Sequence, residues 1–441
     1  MREALGLGIG GLRGALERGE LAAPEAVAAA LERAESEDLN AFVETRPIAV
    51  EEAVAAGGPL AGIPLAVKDM FVDRDRVPTC GSGAHGSWLT GTAVVVERLR
   101  AAGAAVVGYT NLHEWGVGTT SAYTRTGPIL NPRDRARIAG GSSGGSAAAL
   151  AAGIVPAAIG TDAGGSIRVP SACCGVTGLK PTHGRVPMDG FVGEGGTIDH
   201  VGPLARSVGD VALLLGVMAG EEIVPEDASG LRLGIARSFF FDDLDPRVAD
   251  AVESAVEVLR DVAAEVREVD LPSAAVASFA VPGLLLPLFA GHLEDALTRD
   301  FELLQPATRQ VLELGRGMGP GDVEEADAVR QAVTADWQRV FDEVDVVVTP
   351  TIPAPPAALD SLLVELPSGE TSAELAHLRT NAPMNLGGVP ALSVPCGELP
   401  GGLTTSVTLT AARGRDEAAL GLGLAFERAT DGIYTDRVTE I

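Results

Sequence analysis

Two serine-bearing glycine clusters carry most of the chemical information in this chain. The first is Gly140-Gly141-Ser142-Ser143-Gly144-Gly145-Ser146, and the second is Gly160-Thr161-Asp162-Ala163-Gly164-Gly165-Ser166-Ile167-Arg168. A serine flanked by glycines exposes its hydroxyl and lets another backbone or a ligand approach closely. Consecutive N–H groups around Gly164, Gly165 and Ser166 can form a concave nest that receives negative charge. A hydroxyl nucleophile beside such a nest is equipment for acyl transfer. Flexible Gly/Ser loops are the plain alternative for either cluster alone. Both together, with Thr161-Asp162 ahead of Ser166 and Ile167-Arg168 behind it, favour chemistry.

Lysine usage supplies the missing base. Of 33 basic residues only Lys68 and Lys180 are lysines. Arginine stays charged in proteins, whereas a lysine deprived of water can surrender its proton. Lys68 closes the apolar run Gly62-Ile63-Pro64-Leu65-Ala66-Val67, which reads as a strand ending at a polar site. It is expected to be a desolvated base. Lys180, in Gly178-Leu179-Lys180-Pro181-Thr182, reads as structural.

Rival motifs fail on context. Gly6–Gly11 and Gly81–Gly86 match the dinucleotide-binding spacing, but neither follows a strand and opens a helix. Gly141-Ser142-Ser143-Gly144-Gly145 matches the nucleophile elbow centred on Ser143, yet a polar, proline-broken segment, 131–137, stands where its strand should be. The histidines at 85, 113, 183, 200, 292 and 377 show no metal-ligand spacing, so no metal is expected. Cys80, Cys173, Cys174 and Cys396 form no C-x-x-C pair, which fits free thiols in a reducing compartment. Cys173 and Cys174 read as small buried residues rather than a second nucleophile.

These residues need a scaffold. Residues 1–35 read as helices, 92–102 as a helix closed by Gly103, and 104–109 as a strand. Further on, 231–236 reads as a strand, 246–263 as a helix, 266–271 as a strand, 291–343 as helical and 344–351 as a buried strand. The alternation predicts an α/β fold: a single large domain over 1–441, with a central mixed β-sheet covered on both faces by α-helices. The acidic segment 221–230 reads as a surface connection. The longest apolar stretch, 279–290, contains Pro282 and Pro287 and reads as core or pocket wall.

Composition sets the remaining bounds. The chain has 441 residues, 46% of them hydrophobic and only 4% aromatic, so its core is built from Ala, Val and Leu. Its net charge of −27 repels phosphate backbones, and no direct nucleic acid binding is expected. No uninterrupted apolar run of bilayer-spanning length occurs, and the N-terminus lacks a basic-then-apolar signal pattern. A cytoplasmic protein without a membrane anchor is the expectation. Arginine-for-lysine usage fits a salt-rich cytoplasm or a GC-rich codon bias equally well.

From about residue 20 to 215, and again over 344–353 and 380–397, the chain resembles the amidase signature family of serine hydrolases. The stretch from Gly140 to Thr182 carries the resemblance most specifically. It implies a catalytic triad of Lys68 as base, Ser142 as proton bridge on a cis peptide, and Ser166 as nucleophile. It also implies an oxyanion hole from the backbone N–H groups of Ala163, Gly164, Gly165 and Ser166, with Asp162 and Arg168 bracing the loop. Thr161 is expected to face the substrate. No cofactor is implied.

Two branches of that family compete, a free amide hydrolase and the A subunit of a glutamyl-tRNA amidotransferase. The latter carries a tyrosine-bearing segment in its second half, whereas 278–315 here contains no tyrosine. The family's Pro-x-Gly-Leu-Gln also becomes Pro400-Gly401-Gly402-Leu403-Thr404. The free hydrolase is favoured, with 279–290 forming an apolar acyl pocket for aryl or branched aliphatic amides. A catalytically silent scaffold is the third reading. The expected partner is a small-molecule amide, with a homodimer left open.

Overall fold

The apolar runs assemble into one sheet. The computed structural model describes residues 5–54, 57–74, 76–84, 90–193 and 196–432. His85, Gly86 and the first four residues of the expected N-terminal helical region lie outside the described residues. The sheet's eleven strands are β1 (Phe42–Thr45), β2 (Pro64–Lys68), β3 (Ala105–Thr110), β4 (Ala157–Thr161), β5 (Thr177–Lys180), β6 (Val201–Ala205), β7 (Arg232–Ile235), β8 (Glu265–Glu268), β9 (Val346–Pro350), β10 (Ala391–Glu398) and β11 (Thr404–Ala411). Their spatial order is β1-β3-β2-β4-β6-β5-β10-β11-β9-β7-β8. The β3-β2-β4 and β9-β7-β8 groups are parallel, and the remaining neighbours are antiparallel.

Every residue of β2, β3, β4, β5, β6, β9 and β11 is buried. Helices covering both faces of a sheet make such continuous burial possible, which is why these strands read as apolar runs rather than alternations. The fold is the expected mixed α/β architecture. Six helices matter below: α1 (Gly144–Ala151), α2 (Arg168–Cys174), α3 (Ala274–Asp300), α4 (Pro306–Gly317), α5 (Pro320–Glu343) and α6 (Ala373–Leu386).

Two expectations shift. The strand expected over 266–271 spans Glu265–Glu268, with Val269 N–H still reaching the Ile235 carbonyl at 3.1 Å, and Leu271 packs in the helical layer. The helical region expected from 291 begins at Ala274, with both Pro282 and Pro287 inside α3. Packing of α3 against α4, α5 and α6 outweighs the lost backbone bonds. The segment Ala274–His292 is long and apolar enough to cross a bilayer, with mean hydropathy 1.9, yet half of it is buried within the fold. The four cysteines are buried, and no disulfide joins them among the described residues.

Candidate active site

Parallel neighbours end on the same side of a sheet, so β2 and β4 deliver their last residues to one edge. Val67 pairs with Ile159, which sets Lys68 beside Thr161. The Lys68 Nζ lies 2.7 Å from Ser142 Oγ and 2.7 Å from Thr161 Oγ1, fully shielded from solvent. Ser142 sits on the loop before α1, and its peptide bond to Gly141 is cis. Its carbonyl accepts from His113 N–H at 3.1 Å.

Ser143 does something different. Its N–H donates to the Ser166 carbonyl at 3.1 Å, and its hydroxyl donates to the Thr161 carbonyl at 3.2 Å. It ties the two glycine clusters together rather than facing a ligand. The elbow motif centred on Ser143 is therefore a structural joint. Glycine is required where the clusters meet the body: a Cβ on Gly145 would fall 2.4 Å from the Ala41 and Asn111 carbonyl oxygens. Gly165 sits at φ 117°, where a Cβ would also strike Asn381 and Val169.

Asp162 holds the second loop in shape. Its carboxylate accepts from the N–H groups of Gly165 at 2.8 Å and Ile167 at 3.1 Å, and it takes a two-pronged Arg168 guanidinium at 2.9 and 3.0 Å. Burial alone would raise this carboxyl. The charges of Arg168 and Lys180, with hydrogen bonds from Arg168 and Asn385, instead hold it far below the usual carboxylate range. The Gly165 N–H, one of the four amides expected from the sequence to form an oxyanion hole, donates to Asp162. The amides of Ala163, Gly164 and Ser166 have no such partner among the described residues. Asp162 and Arg168 thus bond each other and the loop backbone rather than lining the cavity.

Ser142, Thr161, Ala163 and Ser166 line one small cavity, with Asp199 as a further polar neighbour. Its volume is about 30 Å³, room for about two water molecules. Met70, Trp115, Val117 and Phe191 form one apolar wall, and Leu285, Leu286 and Phe289 of α3 form another. Of the stretch 279–290, Leu285, Leu286 and Phe289 are pocket wall, whereas Phe279 and Leu288 are exposed. Among the described residues no hydrogen bond joins the Ser142 and Ser166 hydroxyls. Thr161 both lines the cavity and bonds Lys68.

Other expectations are placed away from the cavity. Lys180 is buried, and its ammonium contacts the carbonyl oxygens of Val389 and Pro181 and His200 Nε2. Burial and the Arg168 charge push its pKa well down. Cys173 and Cys174 lie in the core, where burial raises both thiols, Cys174 to about 12. Neither is poised to react.

The sequence reading missed Asn381 and Asn385. Four residues apart, they share one face of α6, where Arg168 donates to the Asn381 carbonyl and the Asn385 side-chain oxygen. That spacing was the available signal. His113 and Asp199 carried no motif that singled them out.

A family model described as Amidase matches residues 25–420. The chain belongs to the amidase signature family. It is an enzyme that hydrolyses amide bonds. It is 36% identical to the A subunit of the glutamyl-tRNA(Gln) amidotransferase of Chromohalobacter salexigens over 475 aligned positions, covering 95% of this chain and 96% of that one. Among solved structures, a crystal structure of an amidase superposes with a TM-score of 0.91 at 35% identity, covering 96% of this chain and 99% of the other. The A subunit of the Thermotoga maritima amidotransferase superposes at 0.78 and 26% identity, with 95% of each chain covered.

Proposed function

We propose that the protein is a free-standing hydrolase of small, apolar carboxylic amides, working through an acyl–Ser166 intermediate. The observation that carries this reading is the 2.7 Å contact between Lys68 Nζ and Ser142 Oγ in the wall of the cavity that Ser166 also lines. Neutral Lys68 accepts the Ser142 proton as Ser142 takes the proton of Ser166. The Ser166 oxygen then attacks the amide carbonyl. The N–H groups of Ala163, Gly164 and Ser166 receive the developing oxyanion, each such donor being worth about 10²–10³ in rate. Ser142 returns a proton to the leaving nitrogen, so ammonia or a neutral amine departs. Water follows the same proton route to release the acid and restore Ser166.

The apolar walls support the substrate class. Leu285, Leu286 and Phe289 favour an aryl or branched aliphatic acyl group, which enters only if these walls move apart, because the cavity as it stands is about 30 Å³. A second reading, the A subunit of an amidotransferase, is favoured by the name of the Chromohalobacter relative. Against it stand 475 aligned positions for a chain of 441 residues, so that relative carries segments absent here. The lower TM-score to the Thermotoga protein points the same way. A reducing cytoplasm and the absence of direct nucleic acid binding accompany the hydrolase reading.

Ammonia release from a panel of primary amides tests it. Aryl and branched aliphatic amides should exceed glutamine in kcat/KM by at least about tenfold. Preference for glutamine, or for small, highly polar ureas, would overturn the substrate class.

A further inference from the structure

Behind Ser142 lies a polar cluster, buried except for the partly exposed Glu374, that the proton route above does not use. Glu374, at the start of α6, accepts from Thr119 N–H at 2.6 Å, Thr119 Oγ at 2.7 Å and Thr120 Oγ at 3.1 Å. These contacts pin the loop 119–121 to α6. From that loop, Ser121 N–H donates to His113 Nδ1 at 3.2 Å. An N–H pointing at Nδ1 requires a lone pair there, so the ring is neutral and carries its proton on Nε2.

The same two residues reach the bridging serine. His113 N–H donates to the Ser142 carbonyl at 3.1 Å, and Ser121 Oγ lies 3.5 Å from that oxygen. Gly141 fits tightly against the loop, since a Cβ there would lie 2.7–2.8 Å from Ser121 Oγ and N. Gly118 leaves the space that the His113 ring fills, a Cβ at that position falling 2.1 Å from the imidazole. His113 itself is 3% exposed. The carbonyl of Ser142 is therefore gripped by two segments that the imidazole Nδ1 joins next to that carbonyl, while the Glu114 N–H to Tyr123 carbonyl bond at 2.8 Å joins them further out.

We propose that His113 is a positioning residue for amide hydrolysis: its Nδ1 lone pair locks Ser121 and, through it, fixes the Ser142 hydroxyl between Lys68 and Ser166. The inference rests on the reading of Ser142 as proton bridge. Without the Nδ1 acceptor the loop 119–121 loosens, and Ser142 spends less time in line for proton transfer. Substrate binding on the α3 wall is not touched, so the loss falls on kcat.

The test compares His113→Asn with His113→Gln, each in the parent and in a Ser142→Ala background, using an activated aryl ester so that residual rates are measurable. The Asn side-chain oxygen falls near the position of Nδ1, and the Gln oxygen falls near Nε2. In the parent background H113N should keep at least about a third of kcat, H113Q should lose at least about tenfold, and KM should change less than about threefold in both. In the S142A background the two variants should be equal. Equal kcat in the parent background, or a loss carried by KM alone, overturns the proposal. Failure of both variants to fold, read by circular dichroism, also overturns it, because His113 is then structural. If H113Q keeps its full deficit beside S142A, the positioning link is wrong while the bridge stands. If S142A alone matches the parent, the bridge assignment falls first.

Discussion

At the scale of single residues, the site is a set of hydroxyls around one buried amine. Lys68 holds Thr161 as closely as Ser142, at 2.7 Å each. Thr161→Val keeps the shape and removes one of these two contacts, so the amine is held less firmly against Ser142. It should lower kcat by about tenfold with little change in KM, and Thr161→Ser should restore most of the rate; steady-state kinetics on one amide checks both. Asp162 makes a different kind of contribution. Asp162→Asn leaves the Arg168 guanidinium buried without its charge partner, a loss of about 3–5 kcal/mol for pairs of this kind. Denaturant melts measure it. Because the Asp162 carboxyl is held below its unfolded-state value, its stabilisation is fully present above about pH 4. It is lost progressively as the pH falls toward the depressed folded-state pKa. The parent should therefore lose stability below about pH 4 more steeply than D162N does.

At the scale of elements, legibility followed locality. Lys68, Ser142 and Ser166 could be read because each lies in a short segment whose glycines and flanking residues declare a turn or a strand end. α3 was only half legible. Pro282 and Pro287 argue against a helix by local rules, and only its contacts with α4, α5 and α6 override them. Nothing local announces that the Gly165 N–H turns inward to Asp162 either. Asn381, Asn385 and the His113 cluster bring residues from separate segments to the two loops. Their meeting is a property of strand order rather than of spacing. α3 also makes a claim of its own. Phe289 is 2% exposed and lines the cavity, so Phe289→Ala removes both core packing and acyl-pocket wall. KM for aryl amides should rise at least about tenfold, while small aliphatic amides change less, and the melting temperature should fall. Equal effects on both substrate classes would remove α3 from the acyl pocket.

At the scale of the whole molecule, a net charge of −27 opposes compactness, and arginine pairs such as Arg185 with Asp416 and Glu417 offset it locally. Salt shortens the reach of the general repulsion, to about 3 Å at 1 M, while close and partly buried pairs are screened less. Raising KCl from about 0.05 to 1 M should lift the melting temperature by several degrees. A fall would mean that exposed ion pairs dominate the electrostatic balance. The eleven-stranded sheet also anchors the site, because β2 and β4, which carry Lys68 and Thr161, are adjacent interior strands.

The central claim is that Ser166, activated through Ser142 and Lys68, forms the covalent bond to the acyl group. Peptide mapping by mass spectrometry after treatment with an aryl fluorophosphonate addresses it most directly. The expected result is a single adduct on Ser166, absent in Ser166→Ala and at least about a hundredfold slower to form in Lys68→Ala and Ser142→Ala. An adduct on Ser143, or no adduct on the folded parent enzyme, would contradict the account.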